Sequence, residues 1–276
     1  MNSIRSRAAV IMSLILSAFA LFASLEGILS KNLYNDMISA GISTKSLLLG
    51  AVAQDIISAP LAIILAVLAV MFLKQPRIKS LIAIIGLDWY FFYAFGLYVM
   101  QGNYTSIYMV YLIIFALSIY SMIWGLLSFE KDAVKYYRLP GRLGILIGGF
   151  LIFILVVLVP AWLFRITPDI ANHIPGPTYA VFILDLCVVF PALGQIAYMT
   201  FRKKPFGFIL AGIAMTKTAT LCLSWSFSHW FSPLYGGLEF EYGLTFISTL
   251  LTIISLALLI PYFLKLNIKS DMNDGC

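Results

Sequence analysis

Eight times in 276 residues the chain runs for about twenty residues or more with almost no charge. A run of that length, wound as a helix rising 1.5 Å per residue, crosses the roughly 30 Å hydrocarbon core of a bilayer. Within lipid every backbone N–H and C=O must find a partner inside the chain, which leaves helices or closed barrels. Continuous apolar runs, with no alternation of period two, select helices. The spans are expected near 8–29, 47–73, 81–101, 105–128, 143–164, 179–201, 208–231 and 244–264. The fold class is therefore all-α, a polytopic transmembrane bundle. Composition agrees: 62% of residues are hydrophobic and 11% charged, with mean hydropathy +0.98, against about 45–50% and 25% in soluble domains. The joining loops are too short to hold a soluble domain.

Those loops carry the charge. "KQPRIKS" (74–80), "FEKDAVKYYRLPGR" (129–142) and "RKKPFG" (202–207) fall on one side of an eight-span chain, and "ITPDIANHIPGPT" (166–178) and "SPLYGGLEFEYG" (232–243) on the other. Fourteen of the 18 basic residues share the first side; Lys31, Lys45 and Arg165 lie on the second and Lys217 within the membrane. Basic loops stay cytoplasmic, so both termini are expected in the cytoplasm and the protein in the cytoplasmic (inner) membrane. The formal charge of +6 is thereby accounted for, and no nucleic-acid partner is expected; the lipid bilayer is the first partner. Residues 1–25 also have the charged start, apolar run and small-residue end of a secretory signal. The run is long for one, and the repeat gives it a counterpart, so a retained helix is expected.

The chain repeats itself. "DIISAPLAIILAVLAVMFLKQP" (55–76) aligns with "DLCVVFPALGQIAYMTFRKKP" (185–205), each with an Asp, then a Pro, then a basic-Pro exit. The offsets of the three landmarks agree within one residue. Two parallel four-helix halves follow, 1–138 and 139–276, about an axis normal to the membrane. With the exit prolines aligned, Asp88 corresponds to Lys217, which places an acid and a base at equal depth where they can pair.

The stretches 90–126 ("YFFYAFGLYVMQGNYTSIYMVYLIIFALSIYSMIWGL") and 179–221 ("YAVFILDLCVVFPALGQIAYMTFRKKPFGFILAGIAMTKTATL") resemble a family of bacterial polytopic membrane proteins without assigned activity. Leu184-Asp185, Lys204-Pro205 and Lys217 belong to the shared pattern. The resemblance implies fold and location and carries no substrate or reaction.

A charge near the bilayer centre costs at least ~2.5–3.5 kcal/mol on insertion scales, so such residues face the bundle interior. Asp55, Asp88, Asp185 and Lys217 qualify; Glu26 stands near a helix end, within reach of headgroups. At 100° per residue Lys217, Thr220, Ser224 and Ser228 fall on one face, which continues toward the cytoplasm as Ile213 and Leu210. That stripe predicts a polar cleft open to the exterior, with Lys217 at its floor and an apolar plug beneath. Lys217, Asp88, Asp185, Asp55, Thr220 and Ser224 are the candidate residues for binding a small polar or anionic solute or an ion. Two roles compete. A permease-like protein would use Lys217 to hold an anionic group or exchange a proton. A sensor or assembly subunit, docked on a membrane partner protein, would use the charges only as braces. Pro60 and Pro191 are expected to kink their helices. Gly144 and Gly148 form a small-xxx-small contact suited to internal packing or dimerisation.

Other chemistries find little footing. His173 and His229 are the only histidines and both fall near the exterior interface, which disfavours a bis-histidine haem. No metal box, P-loop, dinucleotide fingerprint or nucleophile elbow is present. Catalytic residues and cofactors are expected to be none, and a retinal Schiff base on Lys217 is disfavoured by that lysine's position before the last span. Cys187 and Cys222 lie inside apolar runs and are expected to pack inertly, and Cys276 ends the chain without a prenylation box.

Overall fold

The structure, a computed structural model, describes residues 2–30, 33–34 and 44–268; Lys31, Lys269 and Cys276 lie outside them. Among these residues eight helical spans are long and apolar enough to cross a membrane. They are α1 (Ser3–Leu29), α2 (Lys45–Lys74), α3 (Ile78–Met100), α4 (Tyr108–Leu127), α6 (Gly141–Asn172), a sixth span at 179–201, α9 (Pro205–Gly236) and α10 (Tyr242–Lys265). The sixth span is composite: α7 (Tyr179–Leu184), a π-helical turn (Asp185–Val189) and α8 (Phe190–Phe201). A short α5 (Lys131–Val134) and two tiny strands, β1 (Tyr137–Arg138) and β2 (Asn267–Ile268), complete the list. The protein is a multi-pass helical membrane protein whose outer surface meets lipid.

Two helices form the centre. In α3 and α9, 83% and 72% of the apolar segment is buried, against 28% in α4 and α10. Apolar composition alone does not separate them, because lipid-facing and core-facing positions are equally greasy; close approach does. Gly86 lies so near α9 that a Cβ there would stand 2.5 Å from the Thr216 Cβ and 2.9 Å from the Ile213 carbonyl oxygen. α1 packs on α2 and α4 through a stripe of small residues that includes Ser6, Ala9, Ser13, Ser17, Ala20, Ser24 and Gly27. The Gly144/Gly148 face is used inside the molecule, where Gly148 packs on the Phe201 ring.

The loops richest in Lys and Arg meet at one end, called the basic end below. Asn2 N–H donates to the Ser128 carbonyl at 2.8 Å, Lys79 Nζ to the Phe263 carbonyl at 2.6 Å, and β1 pairs antiparallel with β2, Tyr137 opposite Ile268. At the opposite end Gln101 Nε2 donates to the Pro177 carbonyl at 2.6 Å and Tyr179 to the Met100 carbonyl at 2.6 Å.

Several expected boundaries move. Segment 166–178 is not all loop: α6 continues through Pro168 to Asn172 and ends at His173, whose φ of 56° closes it in the left-handed conformation. Pro168 is tolerated because it sits in an exposed last stretch, where water serves the freed carbonyl. α9 likewise runs through Pro233 to Gly236, capped by left-handed Gly237, the conformation glycine adopts at least cost. The two repeat prolines also part company. Pro60 lies inside the continuous α2, while Pro191 follows the π turn, in which Phe190 N–H bonds back to the Asp185 carbonyl. Pro191 cannot serve the Cys187 carbonyl and its ring crowds it, and the widened turn absorbs both defects.

Candidate functional site

The wide turn puts Asp185 at its first position, facing the interior. Its Oδ2 accepts from Trp162 Nε1 on α6 at 2.6 Å, and the Tyr93 hydroxyl of α3 approaches the same carboxylate. Lys217, on α9, is only 2% exposed. Its Nζ stands 4.7 Å from the centroid of the Tyr93 ring and 5.7 Å from that of Trp89, two faces that attract a cation by their quadrupoles. The Asp185 carboxylate acts on it electrostatically. Among the described residues, however, no carboxylate comes within 4 Å of Nζ and no acceptor hydrogen-bonds it. An ammonium has three donors, and the described residues use none of them.

The reason is the cavity. A chamber of about 420 Å³ reaches from Lys217 and Asp185 toward the end of the bundle opposite the basic loops. Leu97, Ile154, Leu158, Phe182 and Leu221 line its walls, with Ser224, Ser228 and His229 along α9. Ser46, Gln101, Asn103 and Thr178 border it at the opposite end, where Arg165 and Glu241 add one charge of each sign. From His229 to Lys217 the cavity follows α9 for twelve residues, about 18 Å at 1.5 Å each. On the basic side of Lys217 the Gly86–Thr216 contact closes the packing, and Ile213 is buried. Small-molecule sites commonly enclose about 300–1,000 Å³ with mostly apolar walls and a few convergent polar groups. This chamber fits that description.

The expected residues divide into two sets. Lys217, Asp185 and Ser224 line the cavity. Thr220 does not: its Oγ1 donates back to the Thr216 and Lys217 carbonyls at 2.9 and 3.0 Å, the usual alternative for a helical hydroxyl. Asp88 is fully buried on another face, where Ser13 Oγ of α1 donates to its Oδ2 at 2.8 Å and Oδ1 has no partner. The expected pairing of Asp88 with Lys217 is therefore not formed. Equal depth did not fix direction around the helix: Gly86, Trp89 and Tyr93 face α9, and Asp88, two residues beyond Gly86, points away toward α1. Asp55 is also enclosed. Tyr34 donates to its Oδ2 at 2.5 Å and Tyr98 to its Oδ1 at 3.1 Å, while Gly27 of α1 lies against the carboxylate. Both phenols border the cavity and Asp55 stands behind them. Glu26 is half-buried in the last turn of α1.

Four contributors were not expected: Trp162, Tyr93, Trp89 and Arg165, whose guanidinium carbon sits 5.7 Å from the Trp162 ring. The signal was present as "WLFR" and "DWYFFY", in which aromatics recur at helical spacing beside a charge. Aromatics inside apolar runs usually pack, so the spacing alone does not mark them. Cys222, buried beside Lys217, also borders the cavity. No group of three His, Cys, Asp or Glu gathers as a metal site among the described residues. Neither a protein-family model, nor a curated protein, nor a solved structure matches the chain.

Proposed function

We propose that the chain is a permease-like, small-solute-binding protein of the cytoplasmic membrane, with both termini in the cytoplasm and the cavity open to the exterior. One observation carries this: an ammonium buried to 2% exposure, served by no hydrogen bond among the described residues, at the floor of a chamber of about 420 Å³. A lysine kept only for packing would close on its carboxylate, because an unpaired buried charge is expensive. Here the two charges stand more than 4 Å apart, with Tyr93 reaching both and the cavity beside them. Arg and Lys in the loops of the basic end support the orientation. The central packing of α3 on α9, third helices of the proposed halves 1–138 and 139–276, supports a duplicated bundle. Kinship with the bacterial polytopic family that residues 90–126 and 179–221 resemble is part of the proposal and adds no substrate.

The test is accessibility. In a background without native cysteines, Ser224→Cys is expected to react with a membrane-impermeant thiol reagent from the exterior, and Leu210→Cys is not. Equal protection of both would refute an outward cavity. The bracing role, with a sensor or assembly subunit as its setting, is favoured for two residues only. Asp55 and Asp88 are enclosed by hydroxyl donors from neighbouring segments and do not border the chamber.

A further inference from the structure

The charges around the cavity come in opposite pairs that do not touch. Lys217 and Asp185 occupy the floor, more than 4 Å apart; Arg165 and Glu241 border the far end, together with His229. Apolar side chains dominate the walls of the chamber, so a ligand at the floor is largely removed from water. A charge buried without a counter-charge is costly. A monoanion seated on Lys217 would add a second negative charge beside Asp185, and a monocation seated on Asp185 would add a second positive one beside Lys217. A ligand carrying both signs on adjacent groups leaves no excess. Its carboxylate takes the unused donors of Lys217, its ammonium takes the Asp185 carboxylate, and four charges alternate in sign.

From this pattern we infer that the site takes a zwitterion of the α-amino-acid type with an apolar body. The body lies along Leu97, Ile154, Leu158, Phe182 and Leu221, whose desolvation supplies the remaining affinity. Tyr93 contributes twice, its ring facing the lysine and its hydroxyl turned to Asp185. The inference rests on the solute-binding role proposed above and names the class of solute.

Matched probes separate the outcomes on the native protein in detergent. L-Phenylalanine, 3-phenylpropanoate and phenethylamine share a ring and chain and differ only in which head charges they keep; glycine keeps the head and lacks the body. Binding is read by calorimetry and thermal shift. The expected result is binding of L-phenylalanine, with each of the other three at least tenfold weaker, and loss of at least tenfold in Lys217→Met and in Asp185→Asn. If 3-phenylpropanoate binds as tightly as L-phenylalanine, the zwitterion assignment is overturned and the solute-site role stands. If no probe binds while Ser224→Cys reacts from outside, the assignment again fails alone. If no probe binds and Ser224→Cys is protected, both fail.

Discussion

Replacing Gly86 by alanine tests what sets the face that α3 turns toward Lys217. The new Cβ would lie 2.5 Å from the Thr216 Cβ and 2.9 Å from the Ile213 carbonyl oxygen. Carbon atoms rest about 3.5–4.0 Å apart, so the helices must separate by roughly 1 Å or slide. Neither of these two atoms can rotate away, one being a Cβ and the other backbone. Overpacking of this kind costs about 1–3 kcal/mol, and alanine returns up to about 1 kcal/mol through helix propensity. The expected net loss is about 1–2 kcal/mol, a fall in Tm of about 2–8 °C for a chain of this size. Thr216→Gly removes the nearer clash at its own cost of about 1 kcal/mol. The double variant is therefore expected to be more stable than the sum of the singles by at least about 0.5 kcal/mol. Thermal unfolding in detergent, followed by tryptophan fluorescence, measures all four corners of the cycle. Additivity, or an undisturbed Gly86→Ala, would show that α3 and α9 do not meet where the structure puts them.

Three further outcomes follow from the same geometry. Ser13→Ala removes the donor at 2.8 Å from the buried Asp88 and is expected to cost about 1–3 kcal/mol, whereas Asp88→Asn retains an acceptor for Ser13 and is expected to change stability by less than about 1 kcal/mol; chemical denaturation compares them. Tyr98→Phe strips a bond from Asp55 at 3.1 Å and is expected to cost about 1.5–3 kcal/mol, while Tyr111→Phe, whose hydroxyl is buried with no hydrogen-bond partner among the described residues, is expected to be neutral or stabilising. Reporter fusions after Lys79 and Lys204 are expected to read cytoplasmic and those near Asn172 and Gly237 exterior; a cytoplasmic signal at Gly237 would mean that α9 does not span.

Hydropathy made the eight spans legible because lipid demands long uninterrupted apolar helices, and the same demand made Lys217 conspicuous. Lys217, Ser224 and Ser228, which share a helical phase, all border the cavity. Azimuth was harder to see. The expected repeat register aligned Asp88 with Lys217 in depth only; the close approach at Gly86 turns another side of α3 to α9, and a glycine in an apolar run carries no direction by itself. Thr220 has the right phase, yet its hydroxyl is taken by its own helix. Trp162 and Tyr93 were hidden for the opposite reason: within 62% hydrophobic sequence an aromatic that borders a cavity is indistinguishable from one that packs. The π turn at Asp185 was half-visible through Pro191, although Pro60 in the matching position bends nothing so locally.

The most direct test of the central claim is the stability of Lys217→Met beside that of the Lys217→Met/Asp185→Asn double variant. Among the described residues Nζ has no hydrogen bond and no carboxylate within 4 Å. Methionine therefore removes only two cation–π contacts, of about 0.5–2 kcal/mol each, and a distant Coulomb attraction, while it relieves a desolvated charge. These oppose one another, so the lysine held for a ligand is expected to be replaceable at a net cost below about 1.5 kcal/mol, with only a small further gain from Asp185→Asn, since the Asp185 carboxylate keeps the Trp162 bond. A buried brace behaves otherwise. Its removal costs about 3–5 kcal/mol, and neutralising Asp185 restores most of the loss; that pattern of unfolding free energies would contradict the account and assign Lys217 to packing.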